Sequence, residues 1–221
     1  YNNLYLFAIS IQARPIHHVS LSNCHIMHPM GNRNKDHISD FFQSKFPFNH
    51  EGLSEFTSAF VTRHYPKGKM IALAEEAEDQ LRFLDDGVIR EYYSHDGKEM
   101  NTWFYLSAEF ITDFSALLKG GQRKKYQECL TDTVVRVMER QTFFGFMERY
   151  QCGREFVNEI FAKMIAQRED EAFKHFSLTP DELYLDLLER RPQWLRLIPL
   201  YHIATYLRMT PETLSRVRKR N

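Results

Sequence analysis

Apolar residues recur with two different spacings along the chain, and the change of spacing divides it into three regions. Between residues 62 and 140 they come in short alternating runs separated by turn residues, which is typical of antiparallel strands. Asp96-Gly97 is the strongest hairpin signal, because both residues tolerate the left-handed backbone of a two-residue turn. The pattern predicts a jelly-roll or small barrel, interrupted by one helical turn at residues 113–119.

Helical spacing flanks this strand-rich region on both sides. Two short helices are predicted before it, at residues 36–46 and 52–61, and another follows it at 141–150. A long helix is predicted over residues 152–176. The next helix opens with a capping box, Thr179-Pro180-Asp181-Glu182, and is predicted to bury Leu183, Leu187 and Leu188. The fold class is thus α+β: an N-terminal antiparallel β-roll with flanking helices, a long linking helix and a C-terminal helical domain.

The long helix carries one stripe of large apolar residues at i, i+3, i+4 and i+7: Val157, Ile160, Phe161 and Met164. This stripe has two interpretations. It packs against the strand-rich region of the same chain, or it forms the seam of a two-stranded homodimer. The sequence leaves both open.

The last stretch, residues 199–221, predicts two short helices joined by a tight turn. Ile203, Ala204 and Leu207 face inward on the first helix. The second begins with Thr210 as N-cap and Pro211 at the first helical position. Its inward residues are Leu214 and Val217, and its outward residues are Glu212, Thr213, Ser215, Arg216, Lys219 and Arg220.

Positive charge is concentrated on this helix pair. The whole chain balances 29 basic against 29 acidic residues, whereas residues 201–221 carry Arg208, Arg216, Arg218, Lys219 and Arg220 against Glu212 alone. Such an ending is either a solvated helix with a Glu212–Arg216 pair, or a recognition helix in the major groove of double-stranded DNA. The rest of the chain must decide between them.

Composition excludes several classes of protein. Three widely spaced cysteines indicate neither a metal cluster nor a disulfide framework, and they favour a reducing cytoplasm. No apolar run is long enough for a membrane span. A cupin-type enzyme needs several histidines inside the roll, but only His64 and His95 lie in that region. We therefore expect no metal, no catalytic residue and no enzyme activity. Residues 1–35 are predicted to be a disordered or non-native extension.

The order of these elements, with three local motifs, resembles the CRP/FNR family of bacterial transcription regulators, in its short, Bacteroidetes-like branch. The motifs are YPKGKMI, DDGVIREYYSHDGKEMNTWFYLSAEFITDFSALLKG and IPLYHIATYLRMTPETLSRVRKR, within residues 36–221. The resemblance implies a cyclic-nucleotide-binding-like effector domain at 36–150, a linking and dimerisation helix at 151–177 and a helix-turn-helix DNA-binding domain at 178–221. It implies RNA polymerase as a further partner.

The resemblance also implies residue roles in the helix-turn-helix. The FNR-like pattern Glu-x-x-Ser-Arg matches Glu212, Ser215 and Arg216, which would read a TTGA-like half-site, while Arg208, Lys219 and Arg220 would contact phosphates. Pro211 stands where the CRP branch has an arginine, so a CRP-type consensus is not expected. Arg208 stands where the turn usually has glycine, which predicts a strained left-handed residue.

The effector positions depart from the cyclic-nucleotide pattern. By resemblance they are Thr112, Asp113, Arg123 and Lys124, where binders have Gly-Glu and Arg-Ser. Cyclic AMP binding and other cofactors are therefore not expected, and an unknown small-molecule effector stays open. The cysteine cluster of oxygen-sensing relatives is also absent. The alternative function is a ligand-sensing β-roll that regulates a protein partner without binding DNA.

Overall fold

A computed structural model describes residues 37–45 and 52–220, which all lie within one compact unit, Asp36–Asn221. The predicted extension over residues 1–35 lies outside the described residues. Eight antiparallel strands within the described residues confirm the predicted β-roll. They are β1 (Val61–Tyr65), β2 (Met70–Ala72), β3 (Gln80–Asp86), β4 (Ile89–His95), β5 (Lys98–Tyr105), β6 (Glu109–Phe110), β7 (Tyr126–Cys129) and β8 (Thr133–Glu139).

The strands form two four-stranded sheets, ordered β1-β8-β3-β6 and β2-β7-β4-β5. The Asp96-Gly97 hairpin is confirmed: it joins β4 to β5, with His95 opposite Lys98. Both turn residues have positive φ, 50° for Asp96 and 72° for Gly97, as a two-residue turn that matches the strand twist requires.

Nine described helices surround or follow the sheets. They are α1 (His37–Lys45), α2 (Leu53–Ser58), α3 (Phe114–Lys119), α4 (Arg140–Arg149), α5 (Gln151–Ser177), α6 (Pro180–Arg190), α7 (Pro192–Leu197), α8 (Leu200–Tyr206) and α9 (Pro211–Arg220). The capping box of α6 is confirmed, since Thr179 Oγ1 accepts from the Glu182 amide and the Glu182 carboxylate accepts from the Thr179 amide. None of the helices in the described part of the chain combines the length and apolar character that a membrane crossing requires.

The start of α5 packs on the roll of its own chain. Val157 is buried in a core cluster with Ile38, Phe56 and Phe83, while Ile160, Phe161 and Met164 are half-buried against the same cluster. The Phe161 ring lies 6.3 Å from the Phe114 ring. This placement follows the first interpretation of the stripe, and it leaves Val157 little surface to offer a second copy.

A second core cluster joins the C-terminal helices to the roll. Trp194 of α7, which is 2% exposed, lies at its centre. Its ring stands edge-on to Trp103 and Phe104 of β5, at centroid distances of 5.1 and 5.0 Å. Tyr206 of α8 packs on it at 5.1 Å. Helices α7 to α9 therefore share one hydrophobic core with strand β5.

Three features differ from the sequence prediction. Leu188 is 45% exposed whereas Leu187 is buried, because α6 turns only a narrow stripe toward α9. Strand β1 and helix α7 were missed. β1 is an edge strand whose residues are mostly exposed, so it lacks the apolar alternation that marks a half-buried strand.

We expect Trp194→Ala to lower the free energy of unfolding by about 3–5 kcal/mol, because it empties the centre of the shared core. Leu197→Ala is the matched control: it lies on the same helix but is 54% exposed. Its effect should stay within about 0.5 kcal/mol. Urea titration followed by circular dichroism measures both. Equal losses in the two variants would contradict this description of the core.

Candidate nucleic-acid interface and the interior of the roll

Helix α9 separates an apolar side from a polar side. Leu214 and Val217 are buried at 1% and 0% exposure, which confirms their predicted inward positions. The outward side is one exposed stripe at i, i+3, i+4 and i+7: Glu212, Ser215, Arg216 and Lys219. Side chains at this spacing lie above one another, so a single groove could contact all four.

The first turn of α9 is held by Thr210, as predicted. Its Oγ1 accepts a hydrogen bond from the Thr213 amide at 3.2 Å. Thr213, which was predicted to face outward, is half-buried, with its hydroxyl 3.2 Å from that of Thr210. A backbone hydrogen bond and one from Thr210 lower the pKa of Glu212, so its carboxylate is charged at neutral pH.

The turn between α8 and α9 places Arg208 in the left-handed region, at φ 56°. The Met209 amide donates to the Ala204 carbonyl at 2.9 Å and closes the end of α8. The predicted strain is thus present, and it costs about 1 kcal/mol relative to glycine. In return an exposed guanidinium stands beside the N-terminus of α9.

The two flanks of α9 differ. Arg220 forms an ion pair with Asp181 of α6 at 2.6 Å, so its predicted phosphate contact competes with an internal partner. Arg218 is exposed on the other flank. It was left out of the predicted contact set, although its position on a helical wheel, beside the stripe, could have indicated it.

Two of the predicted effector residues hold the backbone in place. Asp113 is the N-cap of α3, where its carboxylate accepts from the Ala116 amide at 3.1 Å. The Thr112 hydroxyl is buried and accepts from the Arg82 amide at 2.6 Å. Neither side chain needs a ligand to satisfy it.

The third predicted effector residue, Arg123, is neutralised by carboxylates of the same chain. Its guanidinium lies 3.2 Å from the Glu78 carboxylate and 3.0 Å from that of Glu76. Glu78 is fully buried and also pairs with Arg82 at 2.5 Å. Lys124, the fourth residue, is exposed. The cation that would meet a phosphate is therefore engaged in a buried ion-pair network.

A second buried polar cluster was missed by the sequence analysis. The Glu91 carboxylate accepts from the Lys125 ammonium at 2.5 Å, from Gln127 at 3.2 Å and from the Tyr105 hydroxyl at 3.1 Å. Burial opposes the charge of Glu91, but the attraction and hydrogen bond of Lys125 outweigh it, and the pKa of Glu91 is lowered. The signal in the sequence that could have indicated this cluster is the alternation of polar and apolar residues along β4 and β7.

Within residues 37–45 and 52–220, no group of three histidine, cysteine, aspartate or glutamate side chains could hold a metal ion.

The described residues form a β-roll followed by a C-terminal helix-turn-helix, and comparison with known proteins finds a family model that matches the roll. Residues 62–150 match the family model of the cyclic nucleotide-binding domain. No curated protein matches the chain.

Solved structures share the fold. FixK2 from Bradyrhizobium japonicum aligns with a TM-score of 0.63 and 20% identity, over 73% of this chain and 83% of its own. A CooA mutant from Carboxydothermus hydrogenoformans aligns with a TM-score of 0.63 and 12% identity, over 77% and 79%. The catabolite activator protein of Thermus thermophilus aligns with a TM-score of 0.50 and 23% identity, over 81% and 85%.

The fold implied by the resemblance to the CRP/FNR regulators is thereby confirmed. Residues 62–150 match the cyclic nucleotide-binding domain, and the chain shares the fold of these solved structures.

We expect Arg123→Ala to lower the free energy of unfolding by about 1–3 kcal/mol, because it removes one of the two cations that pair with the buried Glu78 carboxylate. Lys124→Ala, one position along and exposed, should change it by less than about 0.5 kcal/mol. Urea titrations of the two variants make the comparison. If Arg123→Ala were as stable as Lys124→Ala, Arg123 would not stabilise the fold and would be available to bind an anionic ligand.

Proposed function

We propose that the chain is a sequence-specific, double-stranded-DNA-binding transcription regulator of the CRP/FNR type. The observation that carries the proposal is the exposed stripe of α9, which presents one carboxylate, one hydroxyl and two cations on a single helical face. Its opposite side is anchored by Leu214 and Val217 in the shared core. A rigid, outward polar helix at the end of a helix-turn-helix is the geometry that enters a major groove.

The stripe supplies the chemistry for direct readout. The Glu212 carboxylate accepts from a cytosine amino group, and the Arg216 guanidinium donates twice to guanine. Lys219, at the far end of the stripe, and Arg208, at the turn, would contact phosphates, which position the helix without reading sequence. Arg218 extends this basic surface along one flank.

Cyclic nucleotide is not the effector in this proposal. A cyclic phosphate needs a cation that is not already paired, but Arg123 is neutralised by Glu76 and Glu78, and Lys125 by Glu91. A phosphate that took up these cations would break the buried Arg123–Glu78 and Lys125–Glu91 ion pairs, which opposes its binding. An effector of other chemistry remains compatible with the roll.

Two copies would pair through α5, along a face different from the predicted one. Beyond the residues packed on the roll, α5 exposes Ile165 at 55% and Phe176 at 88%. With Ala162, Glu169 and Ala172 they follow the 3-4-3-4 spacing of a two-stranded coiled coil. Such a pairing would present two recognition helices to a pseudo-palindromic site.

Base reading by Arg216 is tested with a duplex that carries an inverted TTGA repeat and with a scrambled duplex. Arg216→Ala should weaken binding to the TTGA duplex by about 5- to 150-fold, so that the ratio of its affinities for the TTGA and scrambled duplexes falls. Lys219→Ala should weaken both similarly. Arg63→Ala, exposed on β1, is the control and should change neither. Equal losses on both duplexes for Arg216→Ala would remove this residue from base reading.

The α5 seam is tested by sedimentation equilibrium with two variants of opposite effect. Phe176→Ala should weaken self-association, because it removes apolar area from the seam. Glu169→Leu should strengthen it, because two like charges no longer face each other across the pair. Val61→Ala, 60% exposed on β1, serves as the control. If neither α5 variant changed self-association, the proposed seam on α5 would be contradicted.

A further inference from the structure

The contact between the helix-turn-helix and the roll contains a buried polar centre, which the apolar core around Trp194 does not explain. His202 of α8 is 6% exposed and lies against Asn101 of β5, which is 3% exposed. The Asn101 amide nitrogen donates to the His202 carbonyl at 3.3 Å and to the Thr205 hydroxyl at 2.6 Å. One strand residue thus holds two positions of α8.

The His202 ring has one permitted protonation state in this contact. Its Nδ1 lies 3.4 Å from Arg90 Nη1 and 3.3 Å from Asn101 Nδ2. A guanidinium can only donate, so Nδ1 must be an unprotonated acceptor. A proton on Nδ1 would point at the Arg90 guanidinium, 3.4 Å away, and the imidazolium would lie against that cation.

The surrounding charges do not offset the repulsion between a protonated His202 and Arg90. Arg90 of β4 already pairs with Glu99 of β5 and with Glu128 of β7, each at 2.6 Å. On α8 itself, the neighbour of His202 is the Tyr201 ring, with centroids 4.0 Å apart. The two carboxylates that could stabilise an imidazolium are therefore held by Arg90.

We propose that proton uptake by His202 releases the helix-turn-helix from the β4–β5 hairpin, so that this contact is an acid-sensitive latch. The latch concerns the arrangement of the chain without DNA, and it stands or falls separately from the DNA-binding function.

The direction of the pH effect follows from linkage. Burial, with the neighbouring Arg90 charge, lowers the pKa of His202 to about 4 in the closed contact. A released, solvated histidine has a pKa of about 6.5. The closed contact thus binds fewer protons between these values, so closure is fully favoured above about pH 6.5 and weakens as the pH falls. One proton shifts the equilibrium about tenfold between pH 7.5 and pH 5.5.

The chain contains its own probe for release. Its two tryptophans are Trp103 and Trp194, and they face each other across the contact. Tryptophan emission therefore reports opening of the contact, while far-UV circular dichroism reports loss of the helices and sheets.

The experiment is a urea titration of the full chain at pH 7.5 and pH 5.5, followed by both signals. In the wild type, the emission transition should move to lower urea at pH 5.5 and precede the dichroism transition. His202→Gln keeps an acceptor for Arg90 without titrating, so its emission midpoint should not shift ahead of the dichroism midpoint. His202→Asn is a second neutral variant, and His64→Gln, exposed on β1, should behave as the wild type.

Two results would overturn the latch. One is a wild type whose emission and dichroism transitions coincide at both pH values. The other is a neutral His202 variant that keeps the acid shift of the wild type.

Discussion

The edge-on packing of Trp194 against Trp103 and Phe104 is the contact on which the arrangement of the chain depends. Helix α7 is too short to be stable alone, and α8 and α9 add only a few inward residues each. Together with the apolar face of β5 they form one core. The Arg191 guanidinium covers that core, at 4.1 Å from the Trp103 ring and 4.6 Å from the Trp194 ring. The orientation of α9 is therefore set partly by the roll.

Charge is distributed in opposite ways at the two ends of this arrangement. In the roll, the cations Arg123 and Lys125 form ion pairs with carboxylates of the same chain, so their attraction for an external anion is weak. On α9, the exposed stripe leaves Arg216 and Lys219 at the surface. This distribution of charge supports the proposed function, a DNA-binding regulator that does not respond to a cyclic nucleotide.

Much of the fold could be predicted because its signals are local. The Asp96-Gly97 turn and the Thr179 and Thr210 caps each depend on a few neighbouring residues, and all three are confirmed. The left-handed Arg208 also followed from its place in the turn.

The missed features depend on residues far apart in the chain. The Glu91–Lys125 pair forms only when β4 and the segment before β7 meet. Asn101 and His202 lie in elements that no periodicity connects. Likewise Arg220 is outward on its helix, but Asp181 of another helix reaches it. The exposed face of α5 could not be predicted from the sequence, because it depends on which face of the helix packs against the roll.

The central claim is that the stripe of Glu212, Ser215, Arg216 and Lys219 reads duplex DNA. Selection of bound sites from a random DNA pool, with and without cyclic AMP, tests it most directly. The account predicts enrichment of an inverted repeat with TTGA-like half-sites spaced about one helical turn apart, unchanged by the nucleotide. A pool that stays random after selection would contradict the claim. Enrichment only with cyclic AMP would contradict the proposal that the paired cations of the roll do not bind a cyclic nucleotide.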